Sequence, residues 1–379
     1  MERGVAVIDL FAGAGGLSVA AAAAGGDVRL HVEVDRVACE TLRLNADSHR
    51  GTVLEADVQG LHGRELREEA RAAEVALVVV GGPPCQPFSK AAFWSEDGDD
   101  AAYRRARMQG EPKVPKPRAH GHRNDDRRFL IDDFLRIVTQ AKAEGFVMEN
   151  VASLLAPRSR PMLDALIRRA RRAGYRTTLC RANATQFGVA QKRERIFLLG
   201  VLGAAAPSPP TPTHSDQDDG LAPVVTAGAV LAPYAGDEWF EEGEEISGRW
   251  ADHLRTVPPG WNYKAHTAWA GHPNPTFVAE TRFWNFLLKL SPDLPSWTIP
   301  ANPGPWVGPF HWDNRRLRTP ELAAIQGFPA GYAFAGTRRE RVRQIGNAAP
   351  PPLAVPMIAT VLDAVVSREL AKEELAWTA

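Results

Sequence analysis

Apolar and polar positions fall into a repeating pattern along the first two hundred residues. Val5-Ala-Val-Ile-Asp-Leu10 is a continuous apolar run that breaks at Phe11-Ala-Gly-Ala-Gly-Gly-Leu-Ser18 and passes into an Ala-rich stretch from about Leu17 to Ala24. A short run without alternation predicts a strand buried on both faces, the glycines predict a turn, and the alanines predict a helix. Leu30 to Asp35, Thr52 to Glu55 and Ala76 to Val80 read as further strands, and the last runs into Gly81-Gly-Pro-Pro-Cys85, where Gly and Pro stop any regular element. Apolar residues at 130, 131, 134, 135, 137 and 138 restore helical spacing, with one face for the core. Gly145 to Val151 predicts a strand, Met162 to Ala173 an amphipathic basic helix, Tyr175 to Asn183 and Arg195 to Gly200 two strands, and about Leu353 to Leu375 a terminal helix. Strands alternating with helices place the chain in the α/β class, with a mostly parallel sheet.

The polar residues of interest sit where these strands stop. Folds of this class bind ligands at the carboxyl ends of their strands, and a glycine turn opening a helix lets the backbone approach a ligand at the helix N-terminus. Glu33 and Asp35 close the second strand and Asp57 follows the third. Glu149 and Asn150 close the strand over 145–151. Glu33 has two readings on sequence alone: an acceptor for ribose hydroxyls, or a cap for the next helix. Cys85 also has two, a small packed hydrophobe or a nucleophile presented by a turn. The charged run within Gln186 to Arg195, taken by itself, reads as a solvated turn.

Two stretches break the pattern. Lys90 to Asn124 has little periodicity, many charges and several prolines, the character of a functional lid or an unstructured loop. At Gly203 the composition shifts to Ala, Pro, Thr and Asp, and Trp239 to Trp312 then holds eight of the ten tryptophans. Tryptophan at that density is expected to form the core of a small irregular domain rather than a stacking platform. No internal repeat is evident.

Composition narrows the function classes. Hydrophobic content of 44% with 24% charged residues is that of a soluble globular protein able to bury a core. Three cysteines without a CxxC pair argue against a disulfide framework or thiolate metal site, so no metal is expected and a reducing cytoplasm is the expected setting. Neither a secretion signal nor an apolar stretch of about 18 residues is present, so no membrane partner is expected. The formal net charge is zero, yet basic residues gather at Arg104 to Arg128 and Arg158 to Arg176 while Asp237 to Glu245 is acidic, leaving local basic stripes for a nucleic acid.

Six stretches, in this order, resemble the motifs of the cytosine-5 DNA methyltransferases: Asp9-Leu-Phe-Ala-Gly-Ala-Gly-Gly-Leu-Ser18, Gly82-Pro-Pro-Cys-Gln-Pro-Phe-Ser89, Met148-Glu-Asn-Val151, Gln191-Lys-Arg-Glu-Arg195, Gln326-Gly-Phe-Pro329 and Gln344-Ile-Gly-Asn-Ala348. The resemblance covers nearly the whole chain outside 203 to 311. It implies a Rossmann-like class I methyltransferase fold with a mixed, mostly parallel sheet, formed by residues 1–202 and completed by 316–379. A target-recognition domain over 203–315 would be inserted between the two. It also implies S-adenosyl-L-methionine as cofactor, contacted by Phe11, Gly13, Gly15, Gly16, Leu17, Glu33, Asp57, Pro84 and Asn347. Cys85 would be the nucleophile that adds to carbon 6 of a flipped-out cytosine, Glu149 the acid at the ring nitrogen, Arg195 the holder of the base carbonyl, and Asn150 and Arg193 the groups that fix the surrounding backbone.

Double-stranded DNA is the implied partner, read by a monomer that could serve with cognate restriction or defence-system proteins, and the 90–124 loop would close over the flipped base. Two alternatives stay open: the same chemistry on tRNA, or a DNA-binding module without activity. One departure is visible in Arg315-Arg-Leu-Arg-Thr-Pro-Glu321, where Arg318 and Pro320 replace the Thr and second Arg usual in the family, which puts the bracing of the recognition domain in question.

Overall fold

The computed structural model describes residues 4–84, 126–157, 159–203, 205–278 and 284–378. Seven strands form the central sheet: β1 (Ala6–Leu10), β2 (Asp27–Glu33), β3 (Thr52–Glu55), β4 (Leu77–Gly81), β5 (Gly145–Val151), β6 (Tyr175–Asn183) and β7 (Glu194–Leu202). Their order is β3-β2-β1-β4-β5-β7-β6, all pairs parallel except that β7 runs antiparallel to both neighbours.

The apolar runs are continuous because both faces of the sheet are covered. Ala6, Ile8 and Leu10 of β1 pack with Leu77 and Val79 of β4 against Phe134, Ile137 and Leu163 on one side. Val5, Val7, Val78 and Val80 point the other way, onto Leu353, Met357, Ile358, Val361 and Val365. Side chains of a strand alternate between faces, so a strand buried on both must be apolar throughout. The C-terminal helix, Pro351–Thr378, lays its apolar side over β1, β4, β5 and β7. Among the described residues no single helix is long and apolar enough to cross a membrane.

Three expectations are corrected. The second strand begins at Asp27 and stops at Glu33, because Asp35 leaves the ladder to cap the helix Arg36–Leu44. The run 186–195 is not a solvated turn: Gln191–Lys192 is a two-residue strand paired in parallel with Ser296–Trp297, and Gln191 and Arg193 are buried. Arg193 tolerates burial because backbone carbonyls surround its guanidinium. Within 203–315 the core is Leu254, Val257, Tyr263, Leu287 and Phe310, with Trp250 and Trp306 only partly buried, while Trp239, Trp261, Trp269 and Trp284 are exposed. That segment is irregular as expected, with helices no longer than Ala251–Thr256 among its described residues. Its Ala227, Leu231, Leu290 and Ile299 pack with Leu317, Leu322 and Ile345 from beyond it.

Candidate active site and cofactor cleft

The carboxyl ends of β1, β2, β3, β4 and β5 open on one cleft of about 670 Å³, a size typical of small-molecule sites. Phe11, Gly13, Gly16, Leu17, Glu33, Asp57, Pro84, Glu149 and Asn347 all line it. At the end of β1 the chain turns through left-handed conformations at Phe11 (φ 57°), Gly13 (φ 53°) and Gly15 (φ 85°). A phenylalanine in that region is strained, which is tolerated where the surroundings over-determine the backbone. Gly16 opens the helix Gly16–Ala23 and has a different reason for lacking a side chain. A Cβ there would lie 2.3 Å from the Ala349 carbonyl oxygen, so the last motif can close against the loop only over a glycine.

Geometry removes one of the two readings of Glu33. Its Oε2 accepts from Gly13 N at 2.7 Å and its Oε1 from Val34 N at 2.9 Å and Asp35 N at 2.8 Å, tying strand β2 to the glycine turn. It does not cap the next helix; Asp35 does, accepting from Val37 N and Ala38 N. Burial raises the Glu33 carboxyl above its ordinary range, partly offset by the three backbone donors. Each carboxylate oxygen has two acceptor sites, so acceptor capacity remains on Oε2 toward the cleft. Asp57 accepts from Gln59 N at 3.0 Å and holds the turn after β3.

Beneath the glycine turn lies a buried polar chain. Ser18 Oγ donates to Asp9 Oδ2 at 2.5 Å and lies 2.9 Å from His31 Nδ1, while His31 Nε2 lies 2.6 Å from the Arg50 carbonyl. Desolvation pushes Asp9 up to about 7 and His31 down to about 4. Tyr332, from the segment after Gln326-Gly-Phe-Pro329, donates to the Ala14 carbonyl at 2.7 Å.

On the other side of the cleft, strand register brings the acid and the arginine together. Val151 of β5 pairs with Arg195 of antiparallel β7, so Glu149, two residues back on the same face, lies diagonal to it. Arg195 Nε is 2.8 Å from Glu149 Oε1 and its Nη1 donates to the Glu194 carbonyl at 2.7 Å. Burial raises the Glu149 carboxyl, and the Arg195 and Arg193 guanidiniums pull it the other way. Asn150, fully buried, donates to the Pro83 carbonyl at 3.1 Å and accepts from Val151 N. Gly82 runs so close that a Cβ there would be 3.4 Å from Glu149 Oε2. Arg193 donates to the carbonyls of Gly346 at 2.7 Å and Ala348 at 3.1 Å, tying its motif to the last one. Gly15, behind the turn rather than on the cleft wall, faces Tyr332.

Cys85 and the 90–124 loop lie outside the described residues; Pro84, one residue before the thiol, lines the cleft. Sequence reading missed Arg343, whose Nη2 is 2.7 Å from Asp35 Oδ2, and Asn302, both on the cleft wall, and Tyr332 behind it. Arg343 adjoins Gln344 of the last motif, the one available signal, whereas Asn302 and Tyr332 stand outside every motif. Among the described residues no group of His, Cys, Asp and Glu could hold a metal ion.

The sequence profile of C-5 cytosine-specific DNA methylases matches residues 5–103 and 118–362. Type II methyltransferase M.SacI of Streptomyces achromogenes is 34% identical over 96% of this chain and 94% of its own length. Type II methyltransferase M1.HphI of Haemophilus parahaemolyticus is 28% identical over 94% and 86%. In fold, the chain matches a prophage-encoded E. coli protein assigned as a DNA modification methyltransferase, with a TM-score of 0.63 at 19% identity over 95% of this chain and 99% of the other. It also matches S. pombe Dnmt2, with a TM-score of 0.55 at 14% identity over 95% and 98%.

Proposed function

The chain belongs to the C-5 cytosine-specific DNA methylases, which transfer methyl groups from S-adenosyl-L-methionine to carbon 5 of cytosine in DNA, and we propose that it does so through Cys85 and Glu149. The observation that carries this assignment is the Glu149–Arg195 pair, buried on the edge of the cleft directly beside the turn that leads to Cys85.

The residues around the cleft suit the cofactor. Phe11 offers a ring face for the adenine, Glu33 acceptors for the ribose hydroxyls and Asp57 an acceptor for the exocyclic amine, while Gly13, Gly16, Leu17, Pro84 and Asn347 shape the wall and Gly15 supports the turn from behind. When bound, the cofactor supplies an electrophilic methyl group on a sulfonium. Carbon 5 of cytosine is too weak a nucleophile to take it unaided, and thiolate addition at carbon 6 makes it competent. As the sulfur–carbon bond forms, Glu149 would give its proton to the ring nitrogen and the ring's electron pair would move to carbon 5, making it a nucleophile able to take the methyl as the sulfonium's own sulfur–methyl bond breaks to leave a neutral thioether. Loss of the carbon 5 proton to a base such as water would then expel the thiolate, and the ring nitrogen would return its proton to the Glu149 carboxylate. Burial pushes the Glu149 carboxyl toward the protonated form that this role needs, against the pull of Arg195 and Arg193. Arg195 holds the acid and the base carbonyl, whereas Asn150 and Arg193 are positioning residues: one fixes the Pro83 peptide, the other joins two motifs through backbone carbonyls.

A base inside a duplex cannot reach such an edge, so the target must be flipped out at a cost of a few kcal/mol. The segment 203–315 is assigned to sequence recognition, the 90–124 loop to closure over the flipped base, and residues 1–202 with 316–379 to catalysis. The Type II relatives support a restriction-modification role, and the reading places the protein in the cytoplasm, as a monomer serving alongside cognate restriction or defence-system proteins. Incubation with labelled S-adenosylmethionine and either duplex DNA or tRNA, beside a Cys85→Ser variant, tests the assignment. Label in DNA from the parent alone is expected; label in DNA from the variant at the parent rate removes Cys85 as nucleophile, and label in tRNA only reassigns the substrate.

A further inference from the structure

A ladder of cations and indole rings starts beside the paired-arginine motif and takes no part in the chemistry of the cleft. Lys192 Nζ lies 5.1 Å from the ring centroid of Trp297, and Trp297 meets Trp284 edge to face at 5.3 Å. Lys264 Nζ lies 5.2 Å from Trp284 and 5.6 Å from Trp269. The ladder thus runs without a break from β-paired Lys192 out onto the 203–315 segment, and Trp284 and Trp269 are 44% and 69% exposed.

Three physical points give this surface an occupant. Exposed indoles grouped in one place are unfavourable in water unless something covers them, and the scattered exposure of ordinary surfaces does not produce such a group. Among the described residues neither lysine is ion-paired with a carboxylate, although the chain as a whole carries as many acids as bases. The ladder is also anchored to the site. Thr298 Oγ1 donates to the Lys192 carbonyl at 2.7 Å and Ile299 N to Gln191 Oε1 at 3.2 Å, so the strap bearing Trp297 is fastened to the strand that carries Arg193 toward Arg195. A polyanion with flat, apolar sugar and base surfaces fits a row of spaced cations and rings.

We propose that Lys192, Trp297, Trp284, Lys264 and Trp269 form a track for the DNA backbone beside the target base, with the lysines meeting phosphates and the indoles packing on deoxyribose or an unstacked base. This rests on the assignment of DNA as substrate. The test is equilibrium binding of a cognate duplex across a range of salt concentrations, for the intact protein, for a Lys192→Gln/Lys264→Gln variant and for a Lys192→Arg/Lys264→Arg variant. S-Adenosylmethionine affinity serves as the fold control.

Each lost phosphate contact lowers the slope of log K against log salt by about 0.9, so the Gln variant is expected to lose roughly 1 to 2 from the slope while its cofactor affinity stays the same. The Arg variant should keep the parent slope, because it keeps the charge. Trp284→Ala should weaken DNA binding about tenfold with the slope unchanged. A Gln variant that keeps the parent slope, or an Arg variant that loses it, overturns the track. Failure of the parent to methylate any duplex would instead overturn the substrate assignment.

Discussion

Arg318 grips Glu244 through two nitrogens, with Nε 2.6 Å from Oε2 and Nη2 3.0 Å from Oε1, and gives Nη1 to the carbonyls of Tyr234 and Gly236 at 2.8 Å each. The pair is buried and ties the start of the helix Thr319–Gln326 to the loop at 234–245. Arg315 holds Glu321 in a similar two-pronged bond, and Thr319 is held by Glu241. Arg318, one of the two residues whose departure put this brace in question, thus supplies an ionic brace of its own.

Breaking that pair from one side should be costly. Glu244→Ala leaves a buried guanidinium without its counter-ion, and a loss of about 3–5 kcal/mol is expected, read as a lower urea midpoint at unchanged slope. An Arg318→Met/Glu244→Leu variant should recover most of it. A single variant with the parent midpoint would show that the pair is not a brace. Glu244 is held below its ordinary range, first by the Arg318 hydrogen bond, so this contribution is present at neutral pH and fades as the medium is acidified.

Glu149→Gln keeps the shape and removes the proton. A fall in kcat of about 10²–10⁴ is expected with little change in cofactor affinity, measured by single-turnover methylation. Cofactor binding that falls in step with the rate would place Glu149 in folding rather than chemistry.

The Asp9–Ser18–His31 chain predicts opposite pH effects from its two ends. Asp9 is raised from an unfolded value near 3.9 to about 7, so its contribution favours the fold at low pH and is lost as pH rises from about 4 to 7. His31 is lowered from near 6.5 to about 4, so its contribution is regained as pH rises from about 4 to 6.5. The two slopes largely cancel in the parent. Asp9→Asn should make stability climb across that window and His31→Gln should make it decline, as followed by urea titrations at several pH values. Parallel curves for all three proteins would rule out the coupling.

Gly16→Ala tests how closely the last motif meets the glycine turn. Its Cβ would collide with the backbone oxygen of Ala349 rather than with a flexible side chain, so the C-terminal segment must withdraw. Cofactor affinity is expected to drop at least tenfold by calorimetry, and unchanged affinity would mean that the contact is adjustable.

The sequence made the sheet legible because a strand covered on both faces must be apolar at every position, as Val78, Val79 and Val80 are. The strand-end acids were legible for the same reason, being the first polar residues after such runs. What stayed hidden depends on packing across long chain separations. Whether Glu33 or Asp35 caps a helix turns on where β2 stops. The exposure of Trp284 depends on how an irregular segment folds, which no periodicity encodes. Tyr332 reaches Ala14 across 318 positions, a contact with no local signature.

The apolar face that Val7, Val78, Val80 and Val147 present to Met357, Ile358 and Val361 has a consequence for biosynthesis. Its cover begins at Pro351, whereas β5 ends at Val151, so the covering helix is made well after the strands it covers. Between the synthesis of β5 and of that helix, the part of this face that Pro351–Thr378 covers is therefore bare, and residues 203–315 emerge in between. At about 5–20 residues per second, the interval between β5 and the covering helix lasts roughly 10–40 seconds, long enough for a holding chaperone to engage the nascent valine face.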